Sequence, residues 1–471
     1  MKRKLLAIFS MIAILSTNLI WTSPANASAA EQWPKGPSVF ADSAIVMEAS
    51  TGLVLYQKNM NTQHYPASIT KIMTVLLALE NSSLGDVVTV SHNAVYDVEA
   101  DSSRIWINEG EKLTMQQCLY GILLESANDC AYAVAEHISG NIENFGKLMT
   151  EKAKSLGCKN TNFVNPHGLQ NENHYTTAYD MALITQEAIK NESFRKIFGT
   201  KTYQILPTNK QPETRYLRNH HKILMKNGYT LDGIEGGKTG YTSTSKYTLV
   251  TVAKRGDMEL ICVIMKDDTA PHQYNDTKDL LNFAFNNFST YAISDAEGSS
   301  ALNESPLFTR YNPLLNSSNT PVKTDKDAFI VLPNTASIKD AKKEVTFYTE
   351  SQSNGSSVNT NNSENVIGKI SYTYDGKFVG GTNILYQKSN HPTLAESESI
   401  IKTPTAVISG PTKPGNSLRY IIIGCIVGFL AIAAILYYIL IERPRLRRRK
   451  AYYKKKATRS SYKDNNDLLN L

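Results

Sequence analysis

At 471 residues the chain exceeds one ordinary domain of about 100 to 200 residues and is therefore modular. Its 41% hydrophobic and 20% charged residues can build cores, which excludes a fully disordered or collagen-like polymer. The net charge of +7 is local: residues 442–471 carry eleven Lys/Arg against three Asp/Glu, and the body before them is slightly acidic, which excludes a broad nucleic-acid-binding surface.

Residues 1–29 read as a secretory signal, with Lys2, Arg3 and Lys4, an apolar stretch from Leu5, and small-residue sites at Ala25 to Ala27 and Ala27 to Ala29. The body is expected outside the cell. It opens with a strand pair, 44–47 and 53–56, about the Ser50-Thr51-Gly52 turn. The segment 69–80 is apolar on all sides, the pattern of a helix that runs through a core. Helical patterns continue near 114–125, 128–138 and 143–156. A second strand pair, 247–253 and 259–265, turns at Arg255-Gly256-Asp257, and the amphipathic stretch 276–288 closes the unit. Strands at both sequence ends around a helical middle predict an α+β domain over 34–290, its sheet completed by distant segments.

Ser, Asn and Pro then mark a linker over about 289–320. A small all-β unit is expected over 305–388, with strands at 328–332, 344–348, 367–374 and 383–386 and a low-complexity loop at 351–365. A linker over 389–418 leads to 420–441, 22 residues without a charge. At 1.5 Å per residue such a helix spans the roughly 30 Å hydrocarbon layer. The basic tail 442–471 follows directly, which marks the cytoplasmic end of a single-pass membrane protein and a contact with the lipid bilayer. Five scattered cysteines without a CxxC pair read as buried thiols, and no pair of histidines has metal spacing, so neither metal nor cofactor is implied.

Three short motifs carry the chemistry: Ser68-Ile69-Thr70-Lys71, Ser126-Ala127-Asn128 and Lys238-Thr239-Gly240. Each is weak alone. S-x-x-K recurs at Ser193, Ser243, Ser399 and Ser460, and S-x-N at Ser91 and Ser363 among other sites. Taken separately, Ser68 reads as a helix cap, Lys71 as a solvated lysine and Lys238 as a turn residue. Context separates them: Ser68 follows Pro66-Ala67 and opens the buried helix, so hydroxyl and amine lie one turn apart on one face in a dry site. Lys-Thr-Gly occurs once, after Gly236-Gly237, which read as a turn.

With Phe163-Val164-Asn165-Pro166-His167-Gly168-Leu169 and Tyr374-Asp375-Gly376-Lys377, this ordered set resembles the low-molecular-mass penicillin-binding proteins, serine-type D-alanyl-D-alanine carboxypeptidases, over about residues 34 to 390. The resemblance implies a β-lactamase/transpeptidase-like domain, an antiparallel sheet with a helical cluster, followed by the small all-β domain. It casts Ser68 as nucleophile and Lys71 as general base, active only if burial and the charge of Lys238 keep its amine neutral. Ser126 would relay the proton to the departing D-alanine, and Asn128 would orient Lys71 and bond the substrate amide. Lys238 would hold the terminal carboxylate with help from Thr239. Gly240 would let a peptide lie along its strand, and the backbone N–H groups of Ser68 and Tyr241 would form the oxyanion hole.

The implied partners are peptidoglycan stem peptides ending in D-Ala-D-Ala and, as covalent inhibitors, β-lactam antibiotics. Alternatives are a β-lactamase, a D,D-endopeptidase or transpeptidase, and a non-catalytic wall-binding scaffold. A second cation for the carboxylate is sought among Arg218, His220 and Lys222. His167 is a packing or a chemical residue; His174, His220 and His221 read as surface or loop histidines.

Overall fold

The computed structural model describes residues 33–99, 101–294, 322–348 and 364–387. The expected leader, the linker 389–418, the membrane helix at 420–441 and the basic tail lie outside them. Among the described residues no helix is long and apolar enough to cross a membrane.

Strands β1 (Ser43–Glu48) and β2 (Val54–Lys58) form the opening hairpin. A 3-10 turn, Ala67–Thr70, runs straight into α1 (Lys71–Asn81). There follow β3 (Val87–Thr89), α2 (His92–Tyr96), β4 (Lys112–Thr114), α3 (Met115–Leu124), α4 (Asn128–Ser139), α5 (Ile142–Ser155), α6 (Ala178–Ala188) and α7 (Glu192–Phe198). Local chemistry sets these ends. Thr114 and Gln117 form a capping box at the start of α3, and Asn141 and Thr177 cap α5 and α6 through their side chains. Gly140, left-handed at φ 77°, ends α4.

The ribbon β5 (Thr202–Ile205) and β6 (Arg215–Arg218) leads to three long strands, β7 (Ile234–Thr242), β8 (Lys246–Arg255) and β9 (Met258–Asp267), and then to α8 (Ala270–Asn287) and β10 (Phe288–Ala292). The main sheet has the antiparallel order β2-β1-β9-β8-β7, so the last strand of the chain's α+β unit pairs with its first. Both faces are covered. Ile45, Met47, Val250 and Val263 pack on the helical cluster, while Ala44, Val46, Leu249 and Ile264 pack on the side of α8. That double burial is why these strands read as continuous apolar runs.

Strands β11 (Val322–Thr324), β12 (Phe329–Pro333), β13 (Lys342–Phe347), β14 (Glu364–Tyr374) and β15 (Lys377–Gln387) make a second sheet with β10, in the order β10-β12-β15-β14-β13, with β11 on β15. The expected α+β organisation with antiparallel sheets is therefore present. Two local readings need correction. Residues 288–292 are a strand paired to β12, where the sequence suggested the end of a helix and the start of a linker. Ile330, Val331 and Leu332 share one buried cluster with Leu280 and Leu281 of α8, which ties this strand pair to the main sheet. Gly236 and Gly237 lie inside β7, not in a turn. A Cβ there would sit 2.4 Å from the Phe198 ring or 2.2 Å from the His221 ring, so close packing, and not chain reversal, requires glycine.

Candidate active site

The three-residue spacing of Ser68 and Lys71, across the joint between the 3-10 turn and α1, brings Ser68 Oγ to 3.0 Å from Lys71 Nζ. The same nitrogen lies 2.6 Å from Asn128 Oδ1 and 2.7 Å from the His167 carbonyl oxygen. Both oxygens only accept. A neutral amine therefore commits its two hydrogens to them and turns its lone pair toward the Ser68 hydroxyl, which donates. Lys71 has no exposed surface, and burial holds it well below the usual lysine range. The charge of Lys238 pushes the same way; Asp129 opposes.

Asn128 is the first residue of α4, and its backbone N–H donates to the Ser103 carbonyl at 2.8 Å. Ser126, two residues earlier, sits at φ 60°, a left-handed conformation that serine rarely adopts. It faces Lys238, whose Nζ donates to Ser126 Oγ at 3.1 Å and to the Thr239 carbonyl at 2.8 Å. Burial brings Lys238 down to about 7. The structure thus joins Ser68, Lys71 and Asn128 in one hydrogen-bonded group and Ser126 and Lys238 in a second, both at the same cleft.

Strand β7 is the edge of the main sheet and passes beside the serine turn. A Cβ on Gly240 would lie 2.9 Å from the Ser68 backbone nitrogen and 2.4 Å from Thr248 Oγ1, so the strand approaches as closely as glycine alone permits. Thr248 Oγ1 donates to the Pro66 carbonyl at 2.8 Å and ties β8 to the same turn. From the other side, Gly168 at φ 87° packs under the serine turn, where a Cβ would fall 1.8 Å from the Ala67 carbonyl oxygen. A cleft of about 440 Å³ opens over Ser68, Ser126, Asn128, Thr239, Gly240 and Tyr241. A larger cavity, about 730 Å³ against Trp33, Tyr56 and Lys377, contains none of these reactive groups.

The histidines divide by burial. His174 and His221 are buried, not surface residues as their sequence context suggested. Val164 N–H donates to His174 Nδ1, so Nε2–H donates to Thr70 Oγ1 at 2.9 Å. His221 repeats the pattern, with Leu224 N–H on Nδ1 and Thr251 Oγ1 at 2.8 Å from Nε2. Burial lowers both to about 3, with Lys71 adding to the effect at His174 and Lys238 at His221. His167 is also buried and held well below its ordinary value, and its contribution to the site is its backbone carbonyl.

Of the candidates for a second cation, His220 and Lys222 line the cleft and Arg218 does not. His220 Nε2 is 3.0 Å from Glu125 Oε2, and Glu125 Oε1 accepts the Arg218 backbone N–H at 2.6 Å. Sequence reasoning passed over Glu125, Thr248 and Gln273. Gln273 is buried in the cleft wall and its Oε1 has no hydrogen-bond partner. No short motif marks these residues. For the His167 carbonyl the Asn165-Pro166-His167-Gly168 turn was the available signal.

A serine hydroxyl held by a buried lysine amine, at the edge of an antiparallel sheet covered by helices, defines an enzyme of serine-type acyl transfer. The family described as D-alanyl-D-alanine carboxypeptidase matches residues 28–269, and the chain belongs to that family of serine-type hydrolases. It is 40% identical over 258 residues to the D-alanyl-D-alanine carboxypeptidase DacF of Bacillus subtilis (strain 168), covering 54% of this chain and 64% of that protein. It is 30% identical over 359 residues to DacA of Haemophilus influenzae, covering 74% of this chain and 84% of that one. Among solved structures it resembles penicillin binding protein 5 from Haemophilus influenzae, with a TM-score of 0.58 and 27% identity over 75% of this chain and 98% of that one. It also resembles the Streptomyces K15 DD-transpeptidase, with a TM-score of 0.51 and 30% identity over 54% of this chain and 100% of that one.

Proposed function

We propose that the chain removes the terminal D-alanine from peptidoglycan stem peptides ending in D-Ala-D-Ala, through an acyl-enzyme on Ser68. The carrying observation is the threefold setting of Lys71 Nζ against Ser68 Oγ, Asn128 Oδ1 and the His167 carbonyl. The peptide lies along the outer edge of β7, with its terminal carboxylate on Lys238 and Thr239. A bound carboxylate restores the ammonium form of Lys238, whose pKa in the free cleft is about 7.

Ser68 Oγ attacks the carbonyl carbon of the penultimate residue as its proton passes to Lys71. The oxyanion is held by the backbone N–H groups of Ser68 and Tyr241. The C–N bond breaks as Ser126 delivers its proton to the leaving D-alanine nitrogen and takes the proton held by Lys71 in its place, which returns Lys71 to the neutral amine. Water, deprotonated by Lys71, then cleaves the ester. A β-lactam enters by the same attack, but its leaving nitrogen stays tethered after ring opening and occupies the cleft.

The reading extends to location. The leader over 1–29, the uncharged stretch 420–441 and the basic residues after it support a single-pass anchor, with the enzyme outside the membrane and the tail in the cytoplasm. The test incubates the full-length chain and its Ser68→Ala variant with a peptide ending in D-Ala-D-Ala and follows free D-alanine by mass spectrometry. Release by the wild type alone is expected; equal release by both overturns the mechanism. Because one similar structure is described as a DD-transpeptidase, the assay includes an amine acceptor, and a cross-linked product would shift the assignment to transpeptidation.

A further inference from the structure

We propose that Asp267, Asp268 and His272 form a binding site for a divalent first-row cation of zinc type at the head of α8. One ligand atom from each residue lies within 4.8 Å of the others. Asp267 is fully buried, and neither of its carboxylate oxygens has a hydrogen-bond partner within the geometric limits of a hydrogen bond. A buried carboxyl in that state is a ligand without its ion, or it keeps its proton against Asp276, or it is a standing cost to the fold.

The polar neighbours of Asp267, the backbone N–H groups of Asp268 and Thr269 and the carboxyls of Asp268 and Asp276, bring no full positive charge. Lys266, next in the chain, is turned toward Asp42 at 3.4 Å. Asp276 adds a further negative charge and is itself held by the Ala41 backbone N–H at 2.9 Å. His272 stands beside the carboxylates: its Nδ1 lies 2.6 Å from Asp268 Oδ1, a hydrogen bond whose proton the ion would replace, and its ring stacks on Phe40 at 3.9 Å between centroids. The positive end of α8 opposes a cation with about half a charge, which two carboxylates outweigh.

The donor set selects the ion. Calcium and magnesium take six or more oxygens, whereas two carboxylates and one imidazole suit zinc-type ions, with water completing four-fold coordination. Bonds of about 2.0 to 2.2 Å bring the donors within roughly 3.5 Å of one another. Rotation of Asp268, whose side chain is 66% exposed, supplies most of that closure. The ion would join the end of β9 to the first turn of α8, the turn whose Gln273 and Tyr274 line the catalytic cleft.

Zinc chloride is titrated by calorimetry into the chelator-treated full-length chain and into Asp268→Ala and His272→Gln, both partly exposed positions outside the catalytic machinery. The expected result is one zinc per wild-type chain and at least a tenfold weaker site in each variant, with acylation by fluorescent penicillin unchanged as the control on folding. Asp267→Asn, which keeps the shape of the buried side chain, should lose the site as well. Equal zinc binding by the wild type and the two exposed variants overturns the site. Absence of a stoichiometric site in the wild type, or displacement of zinc by equimolar calcium, does so too.

Discussion

The two faces of the main sheet follow opposite rules. On the face toward α8 and the second sheet, Val46, Leu249, Ile264, Leu281, Ile330 and Leu332 meet in a mostly apolar layer. On the helical face the apolar cluster is interrupted by Lys71, Lys238, Asn128, Asp129, His167 and His174. Each of those groups finds partners; Asp129, for example, accepts the backbone N–H groups of Ile105 and Ile107 at 3.2 and 3.3 Å. Burying an amine still costs more than burying a methylene chain, even when its hydrogen bonds are made. The α8 side therefore carries stability, and the helical side gives some of it up to keep two lysines dry.

Substitutions at Ser68 and Lys71 should separate the two roles most strongly. Ser68→Ala and Lys71→Met should each lower D-alanine release and penicillin acylation by about a thousandfold or more, read as single-turnover rates. Lys71→Met should also raise the melting temperature, because it removes the desolvation of an amine without opening a cavity. A melting temperature below that of the wild type would show that the bonds to Asn128 and His167 hold the fold as well as the base.

The complementary change lies in the apolar layer. Leu332→Ala removes a fully buried side chain and should destabilise by about 2 to 5 kcal/mol in denaturant titration. The folded fraction should acylate within twofold of the wild-type rate. A large fall in that rate would break the division, since it would make the second sheet part of the catalytic scaffold.

The same contrast explains what the sequence disclosed. Strands β1, β8 and β9 were legible because sheet residues buried on both faces form apolar runs bounded by turns, and α1 because its apolar residues surround a Ser-x-x-Lys start. Strand β7 was misread at Gly236-Gly237, since nothing local distinguishes a glycine that reverses the chain from one on which Phe198 and His221 pack. His174 and His221 were placed at the surface because their partners are distant: Thr70 is 104 residues from His174, and Thr251 is 30 from His221. The His167 carbonyl had only the Asn165-Pro166-His167-Gly168 turn to mark it, because every residue has a carbonyl. Helix α7 and the short ribbons drew no assignment, their length giving too few turns for a period to stand out; α6, as long as α1, drew none either.

Ionisation provides the next test. Lys238 titrates near 7 in the free cleft, and its role as carboxylate holder needs the ammonium form. As pH rises through 7 the charge is lost, so KM for a peptide with a free terminal carboxylate should climb roughly tenfold per pH unit until an uncharged lysine is all that remains. A peptide amidated at its C-terminus should show no such rise. Identical profiles for the two peptides would remove Lys238 from carboxylate recognition.

The smallest expected effect belongs to His174, on the helical face, and His221, which packs on the α8 face against Thr251 and Tyr274. Each binds its proton near 3 in the fold, against the ordinary value of 6.5. Between those values the unfolded chain takes up the proton and the folded one does not, so the stability present above pH 6.5 is lost as pH falls toward 3. Each histidine contributes a slope of about 1.4 kcal/mol per pH unit. His174→Gln retains a donor for Thr70 and should reduce the slope by about one proton between pH 6 and 4, read from denaturant midpoints. Leu332→Ala should instead lower the whole curve without changing its shape, because no proton is bound or released where it packs. If both substitutions gave parallel curves, His174 would be titrating as a solvated imidazole, and the helical face would be wetter than its hydrogen bonds require.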